Sequence, residues 1–561
     1  MNYEEKYQKW VSKEDLDPSL KAELLSMDET AKEDAFYTDV EFGTAGMRGI
    51  LGAGTNRLNI YVIQKSIVWF AKYIASLPEG KERGVAIGYD NRHMSYKFAI
   101  ESAKVLATYG IKSFIFESLR PTPELSFAVR HLKCAGGIMI TASHNPKEHN
   151  GYKVYDDTGC QLLPEEADKV VKYVNEVEDE LNIKVFSDEE AYPYMTWIGE
   201  EVDEAYYKEV MAIEVNPGMD KSDFKIVFSP QHGTSNIAVR TCLTRLGYDL
   251  VPVLAQCAPD PDFSNTKSPN PEVPSSYELA IKKAKEVDAD VVVITDPDGD
   301  RLGVVAKHDG EYVLMSGNQS AAVYLEYILS QMKEKGTLPS NAVMYNTIVT
   351  SDLGELVARS YGVDVEKTLT GFKFIGDKIR KYEATQEKVF VFGYEESYGC
   401  VIKDFVRDKD AVQAVLTAAE AGNYYKKQGK DLIDVLNELY AKHGTFKESQ
   451  IALAKAGAAG AARIKEIMDN LRKDAPKEIG GVKVTLVEDY GNSTRSDGTT
   501  IDLPKSNVLK YYLEDGSWIA ARPSGTEPKC KFYFSIKGVD AKDAADKTDV
   551  FQKDMMNIIG E

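Results

Sequence analysis

The stretch GGIMITASHNPKEHNGYKVYD, Gly136 to Asp156, decides how the chain is read. A short apolar run of strand character ends at Ser143 and His144, then opens into a loop dense with Asn, Pro, Lys and His. Apolar runs of this length, bounded by turn residues, fit strands buried on both faces of an α/β sheet. The surrounding residues extend the pattern. GVAIGYDNR (84–92) reads as strand and turn, MSYKFAIESAKVLATYG (94–110) as helix, and KSFIFES (112–118) as strand.

The same plan recurs twice. FKIVFSPQHGTSN (224–236), IAVRTCLTRLG (237–247), YDLVPVLA (248–255) and ADVVVITDPDGDR (289–301) form the second segment. NAVMYNTIVTS (341–351), LGELVARSYG (353–362), VDVEKTLTGFKFI (363–375) and KVFVFGYEESYG (388–399) form the third. Each closes with a strand feeding a conspicuously polar loop, so three similar, largely parallel α/β domains are expected. The fourth segment carries the Gly/Ala-rich ALAKAGAAGAARIKEIMDNLRK (452–473), expected as a helix with a flexible entry. Alternating strand patterns and a terminal helix follow, which indicates a smaller α+β domain. Boundaries are expected near residues 205, 322 and 446, giving domains 1–205, 206–322, 323–446 and 447–561.

The 561 residues balance 68 basic against 88 acidic side chains, a net charge of −20. That excess argues against nucleic-acid partners and against anionic membranes, which both require a basic face. MNYEEKYQKWVSKEDL reads as an amphipathic helix rather than a leader, and no apolar run is long enough for a bilayer. The six cysteines are scattered without a CxxC pair, as expected for reduced thiols of a cytoplasmic protein.

Four loops carry chemistry. Asp296, Asp298 and Asp300 alternate just after a buried strand. Carboxylates this close repel unless a cation neutralises them, and oxygen-only donors suit a hard cation such as Mg²⁺. An EF-hand is excluded because Arg301 and Lys307 stand where Gly and Glu would be required. Alone, the motif also fits a solvated acidic turn. Ser143 is a candidate nucleophile. His144 follows it directly, but neighbours on a strand point to opposite faces, so a Ser–His dyad is not expected. Lys147 and Lys153 are cations near this loop. Arg522, Ser524, Gly525 and Thr526 in RPSGTEPK can clasp a phosphate, and Glu395 and Ser397 in GYEESYG can read vicinal hydroxyls. Arg48 in FGTAGMRG is a further anion contact. Together these supply what phosphoryl transfer to a sugar needs.

TASHNPKEHNGYK, DPDGDR, GYEES and RPSGTEP, in this order, resemble the four signature loops of the α-D-phosphohexomutases, which include phosphoglucomutases and phosphomannomutases. FGTAGMRG, TGFKFIG (370–376) and VRDKDA (406–411) are similar to further family elements. The resemblance implies four domains around a central cleft. Ser143 then matches the phosphoserine, completing a Mg²⁺ site with Asp296, Asp298 and Asp300. Arg522, Ser524, Gly525 and Thr526 match the clasp on the non-reacting phosphate, and Glu395 and Ser397 the hydroxyl readers. Arg48, Lys153, Arg301, Thr370, Lys373, Arg407 and Lys409 match positions that contact substrate or phosphoryl groups.

The implied reaction passes through glucose 1,6-bisphosphate, which also activates the enzyme. Some relatives carry a His just beyond the sugar loop, and SYGCVIKDF has none, so Lys409 becomes the acid–base candidate and His144 an orienting group. FGTAGMRG and GYEESYG look most like the longer bacterial phosphoglucomutases and a phosphopentomutase-like branch. Glucose phosphate is the expected substrate. Mannose or pentose phosphate, a silent sugar-phosphate binder and a metal-dependent phosphatase are the alternatives. The expected assembly is a monomer or dimer.

Overall fold

Where the apolar runs end determines where the loops emerge. The computed structural model describes residues 2–40, 46–163, 166, 179–455, 457–524 and 529–561. The chain divides into two compact units. The first comprises 1–315, 371–393 and 397–429, and the second 316–370, 394–396 and 430–561.

The first unit begins with the helix Tyr3–Val11. Asn2 caps it by accepting from the Glu5 N–H, while the Glu5 carboxylate accepts from the Asn2 N–H. Its apolar face buries Tyr7 and Trp10 edge-on against Phe36. The first sheet contains β1 (Met47–Ile50), β2 (Val85–Tyr89), β3 (Ser113–Phe116), β4 (Gly136–Ile140), β5 (His149–Tyr155) and β6 (Met195–Ile198). Their spatial order is β1-β5-β4-β2-β3-β6. Strands β4, β2, β3 and β6 run parallel, and helices Ser95–Thr108 and Thr122–His131 make the crossovers from β2 to β3 and from β3 to β4. The 141–148 loop is too short for such a crossover, so β5 returns antiparallel to β4 and pairs with β1.

Helix Thr122–His131 packs on β2 and β4. The close approach explains Gly137, where a Cβ would stand 2.6 Å from Val129 Cγ2. The core under this sheet gathers Phe70, Ile74, Ile87, Ile115, Ile138 and Ile140. Each such burial contributes about 1.5–3 kcal/mol relative to exposure.

The second sheet holds β7 (Lys225–Ser229), β8 (Asp249–Pro252), β9 (Val291–Thr295), β10 (Leu302–His308) and β11 (Glu311–Met315). Its order is β11-β10-β9-β7-β8, with β9, β7 and β8 parallel and an antiparallel flank of β10 and β11. Both sheets are therefore mixed. Two placements matter for function. Strands β2 and β4 end side by side, with Tyr89 opposite Ile140, so the loops at 90–92 and 141–145 emerge together. The buried run of β9 delivers the acidic loop 296–301.

In the second unit, Ser316 and Gln319 form a capping box on helix Gly317–Glu334, and β12 (Ala342–Thr347) pairs parallel with β13 (Asp364–Thr368). The C-terminal part is an antiparallel sheet with helices Gly457–Lys473 and Ala541–Ile559. Ile464, Met468, Phe532, Phe534, Phe551 and Met555 fill its core. The alanine-rich stretch thus forms a packed helix, as its composition allows. Among the described residues no helix is long and apolar enough to cross a membrane, and all six cysteines are free and buried.

Candidate active site

The site in the first unit is built by two strand ends. Ser143, 1% exposed, follows β4 in the left-handed conformation at φ 52°. Its N–H donates to Thr141 Oγ1 at 2.8 Å, which closes the turn. The hydroxyl donates to Asp296 Oδ2 at 2.9 Å, across to the loop after β9.

The positive φ corrects one expectation. Strand alternation ends at Ser143, so His144 does not point away, and its Nδ1 lies 3.2 Å from Ser143 Oγ. Burial, with Arg301 and Arg48 nearby, holds the imidazole well below its ordinary pKa. With the hydroxyl donating to Asp296, the neutral ring contributes Nδ1–H to Oγ. In this arrangement Nδ1 faces Ser143 Oγ as a hydrogen-bond donor.

Asp296, Asp298 and Asp300 are all buried, and one carboxylate oxygen from each lies within 4.8 Å of the others. Asp296 Oδ1 accepts from the N–H groups of Asp300 and Arg301, so the loop wraps its own first carboxylate. Gly299, at φ 69°, makes the bend, and a Cβ there would stand 2.8 Å from Pro121 Cβ. Thr122, at the start of its helix, donates from Oγ1 to Asp298 Oδ2 at 3.0 Å and from N–H to the Asp298 carbonyl.

Cations balance the triad. Lys153 on β5 places Nζ 2.9 Å from Asp298 Oδ2 and 3.2 Å from Asp300 Oδ2, and Lys409 Nζ is 3.2 Å from Asp300. Arg301 Nε is 3.8 Å from Asp300 Oδ1, while its Nη1 pairs with Glu272 at 2.8 Å. Burial alone would discharge Lys153, but Asp298 and Asp300 outweigh it and raise its pKa. Burial also opposes ionisation of Asp300, yet Lys409, Lys153 and Arg301 hold it far below the usual carboxylate range. For Asp296, burial, then Asp298 and Asp300, outweigh the opposing pull of Arg301 and push its pKa well up.

The donor set fits a hard divalent cation. Asp298 Oδ1 and Asp300 Oδ1 are buried and receive no hydrogen bond from the described residues, so two anionic oxygens are available to a metal. Arg48, on β1, reaches the serine loop through Asn145 Oδ1 at 3.3 Å. Its burial, partly offset by Asp298, lowers its pKa.

The remaining expected residues divide by location. Lys373 is 3% exposed, and burial lowers its pKa to about 8. Ser397 is half-buried in the first unit. Arg407 is fully buried, pairs with the half-exposed Glu383 and donates to the Asp404 carbonyl.

In the second unit Glu395 is 6% exposed. Its neighbour Glu396 accepts from Thr347 Oγ1 at 3.0 Å, and burial with the Glu395 charge raises its pKa to about 7. Thr370 Oγ1 is buried and unsatisfied among the described residues, and Arg522 is the penultimate residue of the strand Trp518–Pro523. The Ser524 N–H donates to the Lys529 carbonyl at 2.7 Å. Gly525 and Thr526 lie outside the described residues.

Sequence reasoning did not select Thr122 or the Asp90–Arg92 loop. The signal for the latter was present in GVAIGYDNR, a polar triplet ending a strand like those that end in Ser143 and Asp296.

Four family models match successive segments. They are the phosphoglucomutase/phosphomannomutase α/β/α domains I (39–181), II (204–310) and III (316–443), and the C-terminal domain (457–547). A phosphoglucomutase of Staphylococcus haemolyticus is 38% identical over 515 residues, covering 90% of this chain and 92% of that protein. A phosphoglucomutase of Staphylococcus aureus strain MRSA252 is 38% identical over 523 residues, covering 92% and 93%. Among solved structures, the open form of the Paramecium phosphoglucomutase pp63/parafusin shares the fold at a TM-score of 0.69 and 19% identity. That match covers 94% of this chain and 96% of that one. A phosphoglucomutase/phosphomannomutase family protein of Burkholderia thailandensis matches at 0.67 and 19%, covering 92% and 97%. With four successive domain models matched and relatives at 38% identity over nine-tenths of its length, the chain belongs to the phosphoglucomutase/phosphomannomutase family.

Proposed function

We propose that the chain interconverts glucose 1-phosphate and glucose 6-phosphate through a phosphoserine at Ser143. Its activity class follows from the family: it is an isomerase that moves a phosphoryl group between two hydroxyls of one sugar. The observation that carries the serine's role is the placement of its hydroxyl 2.9 Å from the first of three buried carboxylates.

In the first half-reaction the substrate hydroxyl oxygen attacks the phosphorus carried on Ser143. The new P–O bond forms as the P–Oγ bond breaks, and the proton lost by the sugar hydroxyl ends on the departing Ser143 Oγ. The bisphosphate then returns its other phosphoryl group to Ser143. Lys409, beside Asp300, is our candidate for that proton transfer, its ammonium giving a proton to the departing Oγ and the amine so formed taking the one lost by the hydroxyl, and His144 orients Oγ. Mg²⁺, held by Asp296, Asp298, Asp300 and an oxygen on Ser143, would offset phosphoryl charge and stabilise the leaving oxygen. Lys153, Arg301 and Arg48 supply the local positive charge that an acidic protein needs around a phosphoryl group.

By family match, Lys373, Thr370, Glu395 and Ser397 contact the sugar, and Arg522, Ser524, Gly525 and Thr526 hold the non-reacting phosphate. Glucose 1,6-bisphosphate is the intermediate and activator, and the cytoplasm the expected compartment. The preference for glucose rests on the relatives named phosphoglucomutase.

The test is a coupled assay for glucose 6-phosphate formed from glucose 1-phosphate, with inorganic phosphate measured in parallel. Ser143→Ala should abolish turnover and remove a phosphorylated species from the intact mass. Retained turnover in that variant overturns the serine's role. Phosphate release exceeding isomerisation indicates a phosphatase. Faster turnover of mannose or ribose 1-phosphate moves the substrate assignment.

A further inference from the structure

The loop that carries Ser143 is held from behind by one side chain that no part of the proposed reaction uses. Arg92 leaves the end of β2, and its side chain is completely buried. Its Nη2 donates to the carbonyls of Ser143 at 2.6 Å and Asn145 at 2.5 Å, and its Nη1 to those of Pro146 at 2.8 Å and His149 at 3.1 Å. Nε faces Asp90 Oδ2 at 3.2 Å, and the guanidinium stacks over Phe263 at 5.1 Å. Asp90 is fixed in turn, accepting from Ser95 Oγ at 2.6 Å and from the Arg92 N–H at 3.0 Å.

The four terminal N–H groups of the guanidinium thus meet four carbonyls drawn from residues 143–149. That explains how a non-glycine residue stays at φ 52° in a buried turn, a conformation that persists only when the surroundings over-determine it. The arrangement is directional. The Ser143 carbonyl is pulled toward Arg92, while its hydroxyl projects to Asp296 Oδ2. Asn145, held through the same guanidinium, presents its side chain to Arg48. A lysine could not reproduce this, because one ammonium cannot span four carbonyls in fork geometry.

We propose that Arg92 is a positioning residue for phosphoryl transfer, setting the reach of Ser143 Oγ toward the acidic loop by gripping the carbonyls of 143–149. This rests on Ser143 being the phosphoryl carrier. It predicts an effect on the rate of transfer rather than on sugar binding, since Arg92 faces backbone and leaves the sugar-binding residues untouched.

The experiment compares full-length wild type, Arg92→Lys, Arg92→Ala and Ser143→Ala. The readouts are kcat and KM for glucose 1-phosphate, and the rate at which glucose 1,6-bisphosphate loads Ser143, followed by quenched intact mass. A misplacement on the scale of 1 Å lowers rates about 100-fold, so kcat and loading rate should fall together by about that factor in Arg92→Ala, with KM within about threefold. Arg92→Lys, which keeps charge and bulk, should recover less than a tenth of the lost rate. Guanidinium ion added to Arg92→Ala should restore part of it.

A role confined to holding the fold predicts fewer competent molecules, each loading at the wild-type rate, and that result overturns the proposal. So does wild-type kcat in Arg92→Lys. Normal turnover in Ser143→Ala would instead overturn the phosphoserine reading.

Discussion

Lys153 Nζ stands 2.9 Å from Asp298 Oδ2 with both side chains almost wholly buried, so a lysine occupies part of the charge balance that a metal would otherwise supply alone. Removing one partner of a buried pair costs about 3–5 kcal/mol. Lys153→Met should therefore lower the thermal midpoint in EDTA, and Mg²⁺ should restore more of it than in wild type. Equal Mg²⁺-dependence in the two proteins would contradict this account.

Metal removal itself should be readable without turnover. Asp298 Oδ1 and Asp300 Oδ1, buried without a hydrogen bond from the described residues, predict that Mg²⁺ stabilises the folded chain. A concentration 100 times Kd contributes about 2.7 kcal/mol, a rise of a few degrees in melting temperature. Asp300→Asn should lose most of that rise. EDTA should abolish isomerisation and excess Mg²⁺ restore it.

Burial, with Arg301 and Arg48, holds the His144 pKa well below its ordinary value, so its protonation should not shape the pH–rate profile near neutral pH. His144→Gln should lower kcat about tenfold by loosening the serine, while its profile stays parallel to wild type. An acidic limb present in wild type and absent in the variant would reassign His144 to proton transfer.

Arg407, buried against Glu383, should matter for stability and not for the sugar. Arg407→Met should lower the thermal midpoint and leave KM for glucose 1-phosphate within about twofold. Glu383 is half exposed, so the loss should fall near the lower end of buried-pair values, on the order of 1–3 kcal/mol. A tenfold rise in KM would return Arg407 to the substrate site.

Lys510 lies in the second unit under Trp518, 3.8 Å from the ring centroid, and donates to the Ile348 carbonyl at 2.8 Å. Burial, then Lys367, lowers its pKa to about 7, against opposing pulls from Asp352, Glu488 and Glu355. The unfolded chain binds the extra proton between pH 7 and the ordinary lysine value, so Lys510 makes stability rise with pH across that window. The wild-type urea midpoint should climb from pH 7 to 9.5 relative to Lys510→Met, a differential on the order of 2 kcal/mol. Parallel pH dependences would show that Lys510 keeps its proton.

Much of this architecture could be read from the residues because α/β strands announce themselves. VVVIT and GGIMI are too apolar for any exposed surface, and the polar loops behind them have to emerge at strand ends. The aspartate triad was legible for the same reason. Orientation was not. Nothing in TASHN shows that Ser143 turns left-handed, and with it the direction of His144. The burial of Arg407 against Glu383 was not legible either, because an arginine in a polar segment gives no sign of burial. Arg92 was passed over because its partners are backbone carbonyls, which leave no trace in residue identity.

The hydrogen bond from Ser143 to Asp296 also has a biosynthetic consequence. The serine is translated 153 positions before its partner, so the first α/β layer can be complete on the ribosome while its nucleophile still lacks a counterpart. Only after β9 has emerged and packed does the hydroxyl acquire its hydrogen bond to Asp296. A nascent chain cut short before residue 296 should therefore resist loading however well its first layer has folded. On the proposed phosphoserine reading, phosphate on Ser143 would record that both layers were made and docked.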